Sequence, residues 1–519
     1  KERFVFFLRK MLSPNPKSKF VEVAGISGIT QVARGGGGAW GDYDNDGYLD
    51  LIIPWGGVKL YKNVEGKKFI EISEEAGLGG VGDDYYGAIW GDYDEDGYLD
   101  LFLSNYGVER TVNHPPKHGR LFHNGGDGTF TDVSGLSGIT SCLGHQEGAA
   151  WSDYDRDGDI DLFVVNFGVF EENDASYRPE DSCLMRNNGN GTFANVTKGA
   201  GLSGKAIINI TFQSKAPREI KAITFQPIWF DYDGDGWDDL FVATDVGVSP
   251  LFKNSGDGTF VDVTENAGLD TFGTGMGVSI EDFDGDGDLD LYVTNAGPNY
   301  LWVNSGNGTF IEVARNIGAT LKDRVGWGVG FLDYDNDTDL DLFVTNGERE
   351  QSAGLGEKTI RKISTDVFFE NRDGKYRELF KVGIYDEAVT MAAAFADYDN
   401  NGFVDILTIP VKSSNEASAE LPRLYKNLGN RNNWITVKLV GRKSNKNGIG
   451  AKIKVTSAGK TQVKEVISGS SFVSQNSLWQ TFGLGSAERI DKIEVFWPSG
   501  VTQEILDPKI NTILVIEEL

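Results

Sequence analysis

The sequence predicts an all-β fold: a seven-bladed β-propeller with calcium-binding blade loops, followed by a small C-terminal antiparallel β-domain. Three observations lead there. A nine-residue acidic loop recurs seven times. Each copy sits in a unit of four short strand-like segments with period-two alternation, and repeats of that size signal stacked or radially arranged units. Glycine is abundant, 67 of 519 residues, and proline is scarce, at 14. That usage suits tight turns between many strands.

The loops begin at Asp42, Asp92, Asp153, Asp231, Asp282, Asp333 and Asp397, with spacings of 50, 61, 78, 51, 51 and 64 residues. The clearest copy, Asp282-Phe-Asp-Gly-Asp-Gly-Asp-Leu-Asp290, has carboxylates at positions 1, 3, 5 and 9 and Gly287 at position 6. Hard oxygen ligands wrapped around a glycine turn are what a calcium ion requires. The last ligand comes at position 9 from the start of a strand, not at position 12 before a helix, so the loop is not an EF-hand.

The expected ligands are Asp42, Asp44, Asp46 and Asp50 in the first loop, and Asp92, Asp94, Asp96 and Asp100 in the second. Asp153, Asp155, Asp157 and Asp161 form the third set, and Asp231, Asp233, Asp235 and Asp239 the fourth. The fifth is Asp282, Asp284, Asp286 and Asp290, and the sixth Asp333, Asp335, Asp337 and Asp341. The seventh is Asp397, Asp399, Asn401 and Asp405. Thr338 replaces the glycine of loop six, and Asn401 removes a charge from loop seven. Those two sites are expected to be the weakest, because a β-branched residue is costly at positive φ. Acidic turns without metal are the alternative for all seven, opposed by carboxylate repulsion.

Within each unit a small-residue segment such as Gly37-Gly-Ala-Trp40 enters the loop and an apolar strand such as Asp161–Val165 leaves it. A third strand ends in Asn63, Asn124, Asn187, Asn254, Asn304, Asn371 or Asn427, and a Gly-rich turn leads to the fourth. The seventh unit lacks its fourth strand, and residues 19–24 are an orphan matching it. Their expected role is to complete the last blade and leave no open edge. The expected domains are therefore an N-terminal segment 1–18, the propeller 19–430 and the C-terminal domain 431–519.

The DxDxDGxxD loop before an apolar strand resembles the FG-GAP/VCBS repeats of integrin-α-like propellers over roughly residues 19–430. That resemblance implies calcium between the first and second strands of each blade. The segments NWITVKL, NGIGAKI, SGSSFVSQ, FGLG and VFWPSG make residues 431–519 similar to the ASPIC/UnbV domain, as in cartilage-acidic-protein-like proteins. The match names an architecture more than an activity. Gln475 and Trp479 are possible ligand contacts there, with core or turn roles as the alternative.

The net charge is −28, which argues against nucleic acid or an anionic membrane as partner. Seven divalent ions would return roughly +14. No apolar stretch is long enough for a spanning helix. Residues 4–12 are apolar and basic, and are expected to dock as a short helix, a remnant of an export signal being the alternative. Cys142 and Cys183 both lie in the third unit. A disulfide between them is expected, with two buried free thiols as the alternative, and it fits an exported chain.

The long insertions fall on the face opposite the acidic loops, where function tends to sit. Arg34, Tyr86, His145, Glu147 and Arg324 stand at that end of the first strands and form candidate lining for a small-molecule funnel, His145 and Glu147 being the nearest approach to an acid–base pair. His114, His118 and His123 are a weaker candidate transition-metal set. No nucleophile elbow, phosphate loop or dinucleotide fingerprint is present. The leading expectation is a calcium-stabilised, secreted, periplasmic or cell-surface binding protein with a protein or glycan ligand. An enzyme of lyase or cyclase type using the funnel, and a structural subunit that self-assembles, are its rivals.

Overall fold

A computed structural model describes residues 19–31, 35–82, 84–107, 117–170, 177–178, 180–203, 207–210, 218–221, 223–322, 324–351, 360–363, 365–380, 382–384, 388–411 and 421–519. The expected N-terminal docking helix and Arg34 lie outside these residues.

Each acidic loop joins two strands of one antiparallel sheet. In the first unit the order is Ala39–Gly41, Asp50–Ile53, Lys59–Val64 and Lys68–Glu71. Six further units repeat this up-and-down order. Their first strands are Tyr85–Gly91, Gln146–Ser152, Ile223–Phe230, Gly275–Glu281, Val325–Leu332 and Val389–Ala396. Such four-stranded sheets fit a β-propeller. In the last unit the fourth strand is Phe20–Glu22, antiparallel to Arg423–Asn427, with Phe20 opposite Asn427. The insertions add small hairpins, such as Ile207–Ile210 with Arg218–Lys221.

Cohesion between units comes from residues around the loop. In three units the Trp two residues before the loop packs on the Tyr at position 2 of the preceding unit's loop. Trp90 stacks on Tyr43 with ring centroids 6.3 Å apart, Trp229 on Tyr154 at 6.2 Å and Trp40 on Tyr398 at 6.3 Å. Buried apolar clusters accordingly span neighbouring sheets, and one of them joins Trp40 and Leu51 of the first unit to Tyr398 and Leu407 of the last. The Asn ending the third strand adds a polar tie in every unit but the sixth, where Asn371 donates to Leu340 O of its own unit. Asn124 Nδ2 donates to Tyr43 O at 2.9 Å, Asn304 to Tyr232 O at 2.7 Å, and Asn63 to Tyr398 O at 2.8 Å. The last of these links the first unit to the seventh.

Residues 433–517 form two further sheets. One orders Gln480–Gly485, Asn433–Val440 and Ile513–Glu517; the other orders Lys460–Glu465, Lys452–Ser457, Lys492–Phe496 and Thr502–Leu506. The expectation of a purely antiparallel domain is corrected here, since Asn433–Val440 pairs in parallel with Ile513–Glu517. A parallel pair needs a long crossover, and the intervening strands supply it.

That last strand is anchored by Glu518, which is 1 % exposed. Its Oε2 accepts the amide N–H groups of Arg442, Lys443 and Ser444 at 2.8, 2.7 and 2.8 Å, and Oε1 accepts the Ser499 hydroxyl. Burial pushes this carboxyl up, but the Ser499 hydroxyl and the three amides outweigh it and hold the group at about 2. A depressed carboxylate contributes stability above its unfolded pKa of about 4, and loses it as pH falls toward 2. Glu518→Gln is expected to cost about 2–3 kcal/mol at pH 7 and to flatten the acid limb of a melting-temperature profile between pH 2 and 4. An unchanged acid limb would contradict this.

Candidate functional site

Loop geometry is uniform and begins with the backbone. In the fifth loop Asp282 accepts the amides of Gly285 and Gly287 at 2.9 and 3.1 Å. Asp284 accepts Asp286 N at 3.3 Å, and Asp286 accepts Asp288 N at 3.0 Å. Asp290 accepts Phe283 N and Asn304 N at 2.9 and 2.8 Å. These carboxylate oxygens hold the turn and tie it to the second and third strands. Ligand-capable atoms of Asp42, Asp44 and Asp50 lie within 4.8 Å of one another, as do those of Asp153, Asp155 and Asp161, and of Asp231, Asp233 and Asp239.

The donor set fits a hard divalent cation. Asp92 Oδ1, Asp155 Oδ1, Asp161 Oδ2, Asp231 Oδ1 and Asp399 Oδ1 are buried without a hydrogen-bond partner among the described residues, and a buried oxygen left so is costly. Burial, reinforced by the neighbouring carboxylates, pushes Asp92 up to about 7, Asp153 and Asp290 to about 8, and Asp100 and Asp239 to about 9. A cation reverses that penalty.

Loops six and seven keep the same turn. Thr338 takes φ 82°, and its amide donates to Asp333 Oδ2 at 2.8 Å. Lys460 of the C-terminal sheets binds the Thr338 hydroxyl at 2.7 Å and Asp339 at 2.9 Å. Asn401 Oδ1 accepts Phe403 N at 2.8 Å, the role Asp286 plays in loop five.

The C-terminal sheets sit on the acidic-loop side. Lys438 Nζ is 3.0 Å from Asp42, Lys452 Nζ is 3.7 Å from Asp231, and Asn447 Oδ1 accepts Asp92 N at 2.9 Å. From there, residues 468–477 run along the axis of the ring and bond to its first strands. Gln475 N donates to Gly38 O and Trp40 N to Gln475 O, at 3.1 and 3.2 Å. The Gln475 side chain accepts Trp90 N at 2.7 Å and donates to Trp90 O at 3.3 Å. Val473 N donates to Gln226 Oε1 at 2.8 Å, Ser471 exchanges two backbone bonds with Val278, and Ser471 Oγ accepts Val329 N at 2.9 Å. Asn476 Oδ1 accepts Phe395 N at 3.1 Å. Gly469 closes the circle, since a Cβ there would lie 2.3 Å from Ala149 O.

The small residues of the first strands give clearance both to this segment and to the neighbouring unit. A Cβ on Gly37 would lie 1.7 Å from Val473 O, and one on Gly277 2.2 Å from Trp327 O of the next unit and 2.9 Å from Ser471 O. Gln475, read as a possible ligand contact, is fully buried and spent on Trp90. Trp479 lies under Lys438, 4.9 Å from Nζ to the ring centroid.

The funnel reading is corrected by the same segment. Phe472, fully buried, packs on Tyr86, Phe225 and Trp327 with centroids 6.1, 5.6 and 5.0 Å apart, so the axis is closed by an aromatic cluster. His145 Nδ1 faces Glu180 at 3.1 Å instead of Glu147, which is itself fully buried. Arg324 turns to Thr365 O and Glu378. Of the described candidates, His145 and Arg324 thus turn to other partners and Tyr86 packs on Phe472, while Arg34 is not among the described residues. The described histidines also lie apart in role. His114 is outside the described residues, His118 Nδ1 faces Gly119 O at 2.7 Å, and His123 Nδ1 lies 3.1 Å from Asp94 in the second acidic loop. Cys142 and Cys183 are joined by a disulfide with Cα atoms 5.9 Å apart. Cys183 opens the strand Cys183–Asn187 instead of lying in an inserted loop.

Sequence reading missed the axial segment and the inter-unit role of the strand-ending Asn. The Asn recurrence was visible, but its acceptor lies in another unit. The run Ser468-Gly-Ser-Ser-Phe-Val-Ser474 carried no periodicity to mark it.

Comparison with known proteins matches residues 441–519 to the ASPIC and UnbV family. Residues 42–103, 231–293 and 282–344 match the FG-GAP-like repeat. Cartilage acidic protein 1 of Xenopus tropicalis is 28 % identical over 287 residues, covering 53 % of this chain. The Homo sapiens protein is 28 % identical over 289 residues, covering 54 %. The chain spans 42 % of the length of each. Among solved structures, an Agrocybe aegerita lectin that recognises non-reducing terminal N-acetylglucosamine aligns with 69 % of this chain and 79 % of its own, at 18 % identity and TM-score 0.36. A rhamnogalacturonan lyase of Bacillus licheniformis aligns with 96 % of this chain and 76 % of its own, at 14 % identity and TM-score 0.36.

Proposed function

This chain belongs with the cartilage-acidic-protein-like proteins that join FG-GAP-like repeats to an ASPIC and UnbV domain, and from that premise we propose a calcium-stabilised, extracellular or cell-surface interaction protein. Its scaffold is a seven-bladed propeller over residues 19–430, with calcium in the blade loops and residues 431–519 seated on the loop side. The single observation carrying the reading is the set of buried, unpartnered carboxylate oxygens that converge in the loops. Calcium is structural here, because the same Asp side chains hold the turns that start the second strand of every unit. The disulfide fits an oxidising compartment. Among the described residues no helix is long and apolar enough to cross a membrane.

Binding of a protein or glycan is assigned to the face opposite the loops, where the insertions differ from unit to unit. An enzyme in an axial funnel loses its support, because Phe472 and Val473 occupy the axis. Assembly through residues 1–18 remains a separate reading that truncation of that segment tests.

The full chain loaded with calcium is expected to melt about 10 °C or more above the same chain in excess EGTA, with calcium present by elemental analysis. Equal melting curves and no bound calcium would overturn the reading.

A further inference from the structure

The seven loops are alike in their carboxylates and unlike in the cations that face them. The difference arises at one position, the residue before the Asn that ends the third strand. It is Lys62, His123, Arg186, Lys253, Val303, Glu370 and Lys426 in units one to seven. A strand side chain there points back over the loop of its own unit.

In unit one the Lys62 ammonium contacts Asp44 and lies 3.4 Å from Asp46. In unit four Lys253 contacts Asp233 and lies 2.7 Å from Asp235. In unit seven Lys426 contacts Asp399, whose side chain is 8 % exposed. Loops one and four also receive Lys438 and Lys452 from the C-terminal sheets. In unit two the imidazole of His123 takes the place of the ammonium, 3.1 Å from Asp94 and 3.3 Å from Asp100.

Loops three, five and six differ. Among the described residues no ion pair reaches Asp153, Asp155, Asp157 or Asp161, and none reaches the ligand carboxylates of loops five and six. Arg186 of unit three is exposed and acts on Asp155 only from beyond ion-pair distance, as Lys19 and Lys460 do on Asp335 and Asp337 of loop six. Val303 is uncharged, and Glu370 brings a further carboxylate toward loop six. Glu370 accepts the Tyr334 hydroxyl at 3.3 Å and also pairs with Arg372.

We propose that this third-strand position ranks the loops for calcium. Loops three, five and six take the ion first, and loops one, four and seven carry a tethered ammonium that calcium must displace. The proposal rests on the calcium reading above and adds the ranking to it. An ammonium and a calcium ion compete for the same carboxylate oxygens, so a site holding a lysine binds calcium less well. A divalent and a monovalent charge roughly 6 Å apart in water repel by about tenfold in binding constant. The lysine also stabilises its loop without metal, so the ring keeps part of its cohesion when calcium is scarce. Thr338 does not demote loop six on this view, because its left-handed turn is already formed and bonded to Asp333 and Lys460.

The test is calorimetric titration of the full, chelator-stripped chain with calcium chloride at low ionic strength. The wild type is expected to show a tight and a weak class of sites. Lys253→Met should raise the affinity of one weak site about tenfold, and Val303→Lys should lower that of one tight site by a similar factor. Lys253→Met removes a half-buried charge whose ion pairs are with the loop carboxylates, so it keeps the comparison available if Val303→Lys fails to fold. Unchanged site numbers and constants in a Lys253→Met chain that still binds calcium would overturn the ranking alone. A wild type that takes up no calcium would overturn the calcium reading with it.

Discussion

Phe472→Ala is expected to destabilise the protein by about 3–5 kcal/mol, the range for truncating a fully buried aromatic, although the residue belongs to the C-terminal sheets and not to any repeat. The side chain is 0 % exposed and fills the space between Tyr86, Phe225 and Trp327. Those rings come from three different units, so the cavity left behind would loosen their packing on one another. Gln475→Ala should cost about 2–4 kcal/mol by another route, since it leaves both the N–H and the C=O of Trp90 unpaired on the ring axis. Neighbouring backbone adds to the effect, because Val473 holds φ 45°, a conformation a β-branched residue adopts only when its surroundings impose it. Denaturant unfolding of the full chain, read by tryptophan fluorescence, is the measurement. A single transition shifted as a whole is expected, because the axial segment bonds to first strands around the entire ring. Loss confined to a separate C-terminal transition, with the repeat transition unmoved, would refute the view that the two parts form one cooperative unit.

The second large effect is an inversion of pH dependence on calcium removal. Without calcium, burial raises Asp153, Asp290, Asp100 and Asp239 to between about 8 and about 9. A carboxyl whose folded pKa lies above its unfolded value binds its proton more tightly when folded. Its stabilising contribution is complete below about pH 4 and is lost as pH rises through the folded pKa. The calcium-free chain is therefore expected to melt lower at pH 8 than at pH 5, by several kcal/mol of stability. With calcium the slope reverses, because the ion binds the deprotonated carboxylates and affinity grows with pH. Melting temperatures at both pH values, with excess calcium and with excess chelator, give the four numbers required. Parallel slopes in the two conditions would show that the loop carboxylates are not the groups that respond to the metal.

Much of this was legible in the sequence because it is local and repeated. Position 9 of each loop must lie at the start of a strand, since its carboxylate caps an amide seven residues back, as Asp290 does for Phe283. Glycine at position 6 follows from the left-handed turn, and six of the seven loops have it. The orphan segment that completes the last sheet was visible by subtraction, because one unit lacked a fourth strand and one strand lacked a unit. The loop features depend on spacing within about fifty residues, and seven copies separate the pattern from chance.

Tertiary structure decided the rest. Gly37 gives clearance to Val473, more than four hundred residues away, and Gly36 to the backbone of Tyr86 in the next unit. Tyr86, read as funnel lining, packs on Phe472, and Gln226 serves the Val473 amide. Lys452 and Lys464 of the C-terminal sheets reach Asp231 and Glu281 of the repeats. Spacing and periodicity determine which backbone turns and strands a segment forms, because those rest on near neighbours. What occupies a cavity, and which charge meets which, depends on chain ends brought together only when the ring closes, and no local pattern encodes that.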